Sequence, residues 1–226
     1  MAFQGFPIAT IEFLLELADN NNREWFEANK KRYERDVKAP AFACIEALGA
    51  ELAGIRPAVQ AVPKVNGSLF RLNRDTRFSH NKDPYKTHIG ILMWEGSRKR
   101  MENSGFYFHV EPDLFLLGVG LYMFPKELFQ PYREAVASEK HGLKLVKVAE
   151  QLEAAGYAVE TEHYKRVPKG FAADHPRARF LKFNGLAAMV QMDLPREIHT
   201  PGIIDLAMEH YKAMLPMHEW ILAALG

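Results

Sequence analysis

The sequence predicts an α+β fold, an antiparallel β-meander packed with N-terminal and C-terminal α-helices. Three observations predict it. Roughly the first fifty residues carry apolar side chains at helical spacing; residues 65–124 alternate short aromatic and aliphatic runs with turn-forming stretches; helical spacing then returns towards the C-terminus. The 226 residues, 48% hydrophobic, can bury a sizeable core, and with no internal repeat or low-complexity linker the expectation is one α+β domain over residues 1–226.

Ile8, Ile11, Leu14, Leu15 and Ala18 recur along a first helix, with Pro7 suited to its first turn and Asp19 and three asparagines to its end. Asn22 caps a second helix that carries Trp25, Phe26, Asn29, Tyr33 and Val37 on one side, and Pro40 opens a third through Phe42, Ile45, Leu48 and Leu52. Trp25, Phe26, Tyr33 and Phe42 read as a core stripe. Val65 to Leu72, Lys86 to Trp94, Gly105 to Glu111 and Leu114 to Phe124 read as four antiparallel strands. Pro125 and Pro131 begin helical turns, and Leu143, Val146, Ala149 and Leu152 mark a helix ending at Gly156. YAVETEHYKRVPKGF reads as one or two exposed strands, ARFLKF as a short helix and LAAMVQMDL as a strand. Thr200 and Pro201 start a last helix towards Leu225, broken or kinked near Pro216.

Side-chain alternation gives the meander two unlike faces. A tight turn at Glu111-Pro112-Asp113-Leu114 pairs Glu111 with Leu114, His109 with Leu116 and Tyr107 with Gly118. Phe106, Phe108, Val110, Phe115, Leu117, Val119, Leu121 and Met123 then share a core face, which Ile89, Ile91 and Met93 join if Trp94 pairs with Gly105. The opposite face, half polar, carries Tyr107, His109, Glu111, Leu114, Leu116, Gly118, Gly120 and Tyr122, with Gly90 beside His109 and His88 opposite Glu111. Glycines in strands mark places that something approaches closely.

The exit strand of that face follows SLFRLNRDTRFSHNKDPYKTHIG, residues 68–90, in which Arg71, Arg74, Arg77, Lys82 and Lys86 accompany only two carboxylates, Asp75 and Asp83. Across the whole chain 29 Lys and Arg balance 28 Asp and Glu, which disfavours holding nucleic acid by bulk charge and makes any basic site local. Arginine forks suit phosphate or carboxylate. The asparagines and aspartates between them shape a loop.

Candidate ligand-binding residues are therefore Arg71, Arg74, Arg77, Lys82, Lys86 and Tyr107, and candidate catalytic residues are His88, His109 and Glu111, as a histidine and carboxylate pair for proton transfer. Weaker pocket candidates are Arg23, Lys30, Lys169, Arg177 and Lys182. No metal is assigned and the cofactor is left unknown, although two imidazoles and a carboxylate also form a metal-ligand set. Cys44 is alone and reads as a buried hydrophobe. The first residues lack a basic n-region and continuous apolar h-region, and no apolar run approaches the ~18 residues of a membrane span, so the expectation is a cytoplasmic protein without membrane contact. Gly-rich phosphate loops, GxSxG, HExxH and CxxC are absent from the sequence.

Four segments in order resemble the domain of unknown function 2461 family: FPIATIEFLLELADNNNREWFEANKKRYERDVKAP, SLFRLNRDTRFSHNKDPYKTHIG, GFYFHVEPDLFLLGVGLYMF and RVPKGFAADHPRARFLKFNGL. They span most of the chain. The resemblance implies no reaction, cofactor or catalytic residue, because the family has no established activity. The functional expectation rests on the residues: a small anionic ligand, bearing phosphate or carboxylate, in a basic pocket, with histidine-based acid and base chemistry. Two alternatives stay open: a non-catalytic module that binds an acidic protein segment or, less favoured, a nucleic-acid backbone, and a metal-dependent hydrolase.

Overall fold

A computed structural model describes residues 2–159 and 164–226. The chain is α+β, as its sequence predicts. Helices α1 (Ile8–Asp19), α2 (Arg23–Arg32) and α3 (Ala39–Ile55) come first, followed by strands β1 (Val59–Gln60), β2 (Ile89–Glu95), β3 (Gly105–Val110) and β4 (Phe115–Leu121). Then come α4 (Phe129–Ala137), α5 (Glu139–Ala154), β5 (Ala158–Val159), α6 (Ala178–Leu181), β6 (Leu186–Met192) and α7 (Gly202–Leu225). The strands form one antiparallel sheet in the order β1-β2-β3-β4-β6-β5. By contacts the chain divides into two compact units: Met1–Met93 with Tyr107–Leu116 and Gln191–Glu209, and Trp94–Phe106 with Leu117–Val190 and His210–Gly226.

In the first unit, Asn22 caps α2 by accepting from Trp25 N at 2.9 Å. No break separates α2 from α3: a π-helical turn over Tyr33–Lys38 joins them. Pro40 explains it, since a proline has no N–H for the carbonyl four residues back and its ring crowds that carbonyl. The carbonyl in question, Asp36 O, instead accepts the hydroxyl of the buried Thr10 on α1. The inward face of α1 is Thr10, Phe13, Leu14 and Leu17, while Ile8 and Leu15 are exposed. Aromatic packing decides that rotation, because the Phe13 ring lies 5.5 Å from Trp25 and 6.0 Å from Tyr33. Phe26 and Tyr33 of the expected stripe are buried, and Trp25 and Phe42 are half-buried.

The expected strand Val65 to Leu72 is absent as a strand. Asn66, at φ 61°, and Gly67 turn the chain back on itself, and only isolated bridges link Val65 to Leu69, Leu69 to Ile91 and Asn73 to Tyr85. Even so, Ser68 to Arg74 runs antiparallel to the approach to β2: Leu92 N donates to Ser68 O and Phe70 N to Gly90 O at 2.9 Å, and Lys86 N to Leu72 O and Arg74 N to Pro84 O at 2.8 Å. The core face of the meander is as expected except at its end. Ile89, Ile91, Met93, Phe106, Phe108, Val110, Phe115, Leu117, Val119 and Leu121 are buried, whereas Met123 is exposed, because β4 stops at Leu121 and the alternation stops with it. Within the first unit the Phe108 ring packs on Phe6 and Phe115 at 6.2 and 5.0 Å, and burying such a side chain stabilises by roughly 1.5–3 kcal/mol.

The second unit is built around Tyr132 and Trp220, both without exposure. Their polar tips are satisfied: Tyr132 Oη donates to Phe180 O at 2.9 Å and Trp220 Nε1 to His141 O at 2.8 Å. On α5 the buried face is Gly142, Leu145, Val148, Ala149 and Leu152, while Leu143, expected inside, is exposed. The helix stops before Gly156, whose φ of 87° a glycine adopts without penalty. Of YAVETEHYKRVPKGF only β5 is strand among the described residues, and residues 160–163 lie outside them. ARFLKF supplies α6 and LAAMVQMDL supplies β6. Pro216 lies inside α7, which continues through it to Leu225 instead of breaking.

Candidate functional site

Two hairpin turns set the site. Glu111 N donates to Leu114 O at 2.8 Å, the turn the sequence predicts. At the β2–β3 connection Glu95 N donates to Ser104 O at 3.0 Å, which puts Trp94 opposite Gly105 in the predicted register. Alternation then carries Tyr107, His109 and Glu111 to the face opposite the buried phenylalanines, and His88 joins them.

The four side chains form a connected group. Tyr107 Oη lies 2.7 Å from His109 Nδ1, and His109 Nε2 lies 2.8 Å from Glu111 Oε1. With His109 neutral, these contacts select the Nε2–H tautomer, in which Nε2 donates to Glu111 and Nδ1 accepts the phenol proton. The His88 and His109 rings stack with centroids 4.4 Å apart, and His88 Nδ1 is 3.8 Å from Glu111 Oε1. That longer contact is not an ion pair. Burial, followed by the neighbouring His109, Lys86 and Arg74, holds the His88 pKa down to about 4, so the ring is neutral near pH 7.

All of these side chains are partly open, with 13% exposure for His109, 27% for His88 and 35% for Glu111, so a ligand can reach them. The three residues also offer ligand atoms that all lie within 4.8 Å of one another, the spread of a divalent-metal ligand set. Gly90 clears the floor beside them: an added Cβ there would sit 3.1 Å from Tyr107 Oη and 3.2 Å from Phe70 Cδ2. Gly120 has another cause. Its φ is 144° and a Cβ would lie 2.3 Å from Leu186 O, so the backbone that approaches it is β6.

The basic residues divide. Lys86 spans to the site, its ammonium 5.2 Å from the centre of the Phe70 ring, which itself meets Tyr107 edge-on at 6.1 Å. Arg74, 27% exposed, lies 3.9 Å from Asp83, and its charge and that of Lys86 both bear on His88. Arg77, by contrast, is 76% exposed and forks onto Asp75 at 2.9 and 2.7 Å; the paired guanidinium holds the Asp75 carboxyl down to about 2. Arg71 is exposed, and Lys82 donates to Thr76 O at 3.0 Å. The charges of Arg74 and Lys86 therefore bear on His88, whereas Arg77 is turned outwards. Of the weaker candidates, Arg177 is committed to structure, donating to Val136 O and Ala137 O at 2.6 and 2.7 Å.

Sequence reading missed what holds this loop. Asn21 clasps the backbone of Tyr85 on both sides, accepting from its N–H and donating to its carbonyl, each at 3.0 Å. The Tyr85 ring stacks on Phe26 at 4.2 Å. A buried tyrosine and a bidentate amide thus anchor the chain one residue before Lys86 and three before His88. The Asn20-Asn21-Asn22 run was a signal for more than a cap, but nothing local to it names a partner 64 residues away.

Over residues 9–220 the chain matches the model of a family described as "Conserved hypothetical protein (DUF2461)", and it belongs to that family. No curated protein matches it.

Proposed function

We propose that the protein binds a small anionic ligand, bearing phosphate or carboxylate, over the side chains of His88, Tyr107, His109 and Glu111 in the first unit, and that the His109–Glu111 pair exchanges a proton with it. One observation carries the reading: the hydrogen-bonded Tyr107–His109–Glu111 chain stands with His88, whose ring stacks on His109 and is held neutral partly by the charges of Lys86 and Arg74. The cations attract and orient the anion. His109 is bonded at both ring nitrogens, so a proton arriving at Nδ1 is balanced by the carboxylate on Nε2, the arrangement general acid and base chemistry needs.

Calorimetric titration with pyrophosphate and with malonate, in chelator, tests it. Saturable binding is expected, weakened about tenfold or more by Arg74→Ala and by Lys86→Ala, the equivalent of one charge-assisted hydrogen bond. Arg77→Ala should change it less than twofold. Wild-type affinity in both Arg74→Ala and Lys86→Ala, or no binding of any anion, overturns the reading.

A second reading is favoured by the spacing of His88, His109 and Glu111, whose ligand atoms fit one divalent transition metal. Under it these residues are ligands for hydrolytic chemistry and no acid–base pair exists. Elemental analysis of untagged protein separates the two: one metal per chain, lost in His109→Ala, supports the second and removes the first.

A further inference from the structure

The second unit holds a constellation that the proposed site does not use. Ser104, at the entry to β3, has its hydroxyl 2.8 Å from His218 Nδ1, and His218 Nε2 lies 2.9 Å from Glu95 Oε2. With Glu95 ionised and His218 neutral, the two contacts fix one proton arrangement: Nε2–H donates to the carboxylate, and Nδ1 is left to accept from Ser104 Oγ–H. The imidazole has no exposure and lies against the Phe106 ring, centroids 4.9 Å apart, which holds it in this orientation. A buried histidine must satisfy both nitrogens, yet nothing requires its partners to be a hydroxyl and a carboxylate that border the same cavity. Ser104 and Glu95 do border one. It measures about 190 Å³, room for about six waters, and its wall also includes Arg98, Leu128, Leu222 and Leu225.

We propose that Ser104 is a nucleophile towards short-chain acyl esters, with His218 as its general base and Glu95 as the positioning residue that orients the imidazole. The leucines offer the apolar wall that a short acyl chain needs, and the volume excludes a long one. Ser104 Oγ attacks the ester carbonyl while its proton passes to His218 Nδ1. Arg98, whose guanidinium donates to Leu225 O at 3.1 Å, supplies positive charge to a wall that Glu102 also lines, as negative charge develops on the carbonyl oxygen. The ester C–O bond breaks, His218 returns the proton to the leaving alkoxide, and Ser104 carries the acyl group. A water then attacks the acyl-enzyme and gives a proton to His218; the acyl C–Oγ bond breaks, His218 passes that proton to Ser104 Oγ, and a carboxylic acid is released. No oxidant, metal or further reactant is consumed.

The test uses the full chain with a short-alkyl fluorophosphonate, peptide mapping of the adduct, and hydrolysis of p-nitrophenyl butyrate. One adduct on Ser104 is expected. Ser104→Ala should abolish both readouts, and His218→Gln should slow both by about a thousandfold or more. Glu95→Gln should slow labelling, and Glu95→Asp should restore part of the rate, which a merely structural carboxylate would not do. Because His218→Gln disturbs a buried network, Ser104→Cys gives an independent check: iodoacetamide should alkylate position 104 and leave the fully buried Cys44 untouched. Folded wild-type protein that takes no label at Ser104, or butyrate hydrolysis unchanged in Ser104→Ala, overturns the proposal.

Discussion

His88 should make the fold less stable in mild acid, and the size of the effect follows from its surroundings. In an unfolded chain a histidine titrates near 6.5, whereas in the fold burial and the charges of His109, Lys86 and Arg74 hold His88 down to about 4. Between those values the unfolded state carries a proton that the folded state does not. Stability therefore rises with pH across this window and falls as the pH is lowered from about 6.5 towards 4. Each pH unit in the window is worth about 1.4 kcal/mol, so the loss approaches about 3 kcal/mol at pH 4 and is reduced by the solvent that reaches the ring. Glu111 at 3.8 Å pulls the other way, but its closer contact is His109 at 2.8 Å. The assay is urea unfolding of wild type and His88→Gln, in chelator, from pH 7.5 to 4.5. Glutamine is neutral throughout, so the difference between the proteins isolates the imidazole. A difference that stays flat below pH 6.5, or a ring proton that titrates near 6.5 by NMR, refutes the reasoning.

Other perturbations test the frame around the site. Asn21→Ala removes both bonds to the Tyr85 backbone and should cost about 1–3 kcal/mol in urea unfolding, with faster amide exchange at Tyr85 and Lys86. Gly90→Ala needs its neighbours to give by a few tenths of an ångström and should cost about 1 kcal/mol, whereas Gly120→Ala, at φ 144° against the backbone of β6, should cost about 3 kcal/mol or more. Thermal unfolding of the pair checks the order. Cys44 is fully buried, and burial pushes its thiol up, so it should resist a thiol reagent under native conditions and react on unfolding.

The meander was legible because period-two alternation is a local signal with one consistent solution. A slip of one residue at β2 would have turned Ile89, Ile91 and Met93 outwards, and all three are buried. The same signal brings His88, His109, Gly90 and Glu111 together from sequence alone. It failed where geometry is set by partners distant in sequence. Which side of α1 faces in was decided by Phe13 meeting Trp25 and Tyr33, not by the count of apolar residues. The stretch from Val65 had strand composition, yet Asn66 at positive φ diverted it. The clasp of Asn21 on Tyr85 and the contact of Ser104 with His218, 114 residues apart, leave no trace in spacing at all.

The arginine-rich loop shows why charge composition alone could not locate a site. Five cations read alike in sequence, but a carboxylate two residues before Arg77 is within reach of a fork, and the pair closes in solvent with little effect on stability. Lys86 follows Tyr85, whose ring and backbone are both held, so its stem is aimed; Arg74 donates its backbone N–H to Pro84 O across the same narrow hairpin. The cations whose charge bears on His88 are thus those on anchored backbone, and the one at the tip pairs with its own neighbour. The anion proposal consequently stands or falls on Arg74 and Lys86. If pyrophosphate affinity tracked Arg77 instead, the loop would have to fold over in solution, and the hairpin-borne site described above would not be the one that binds.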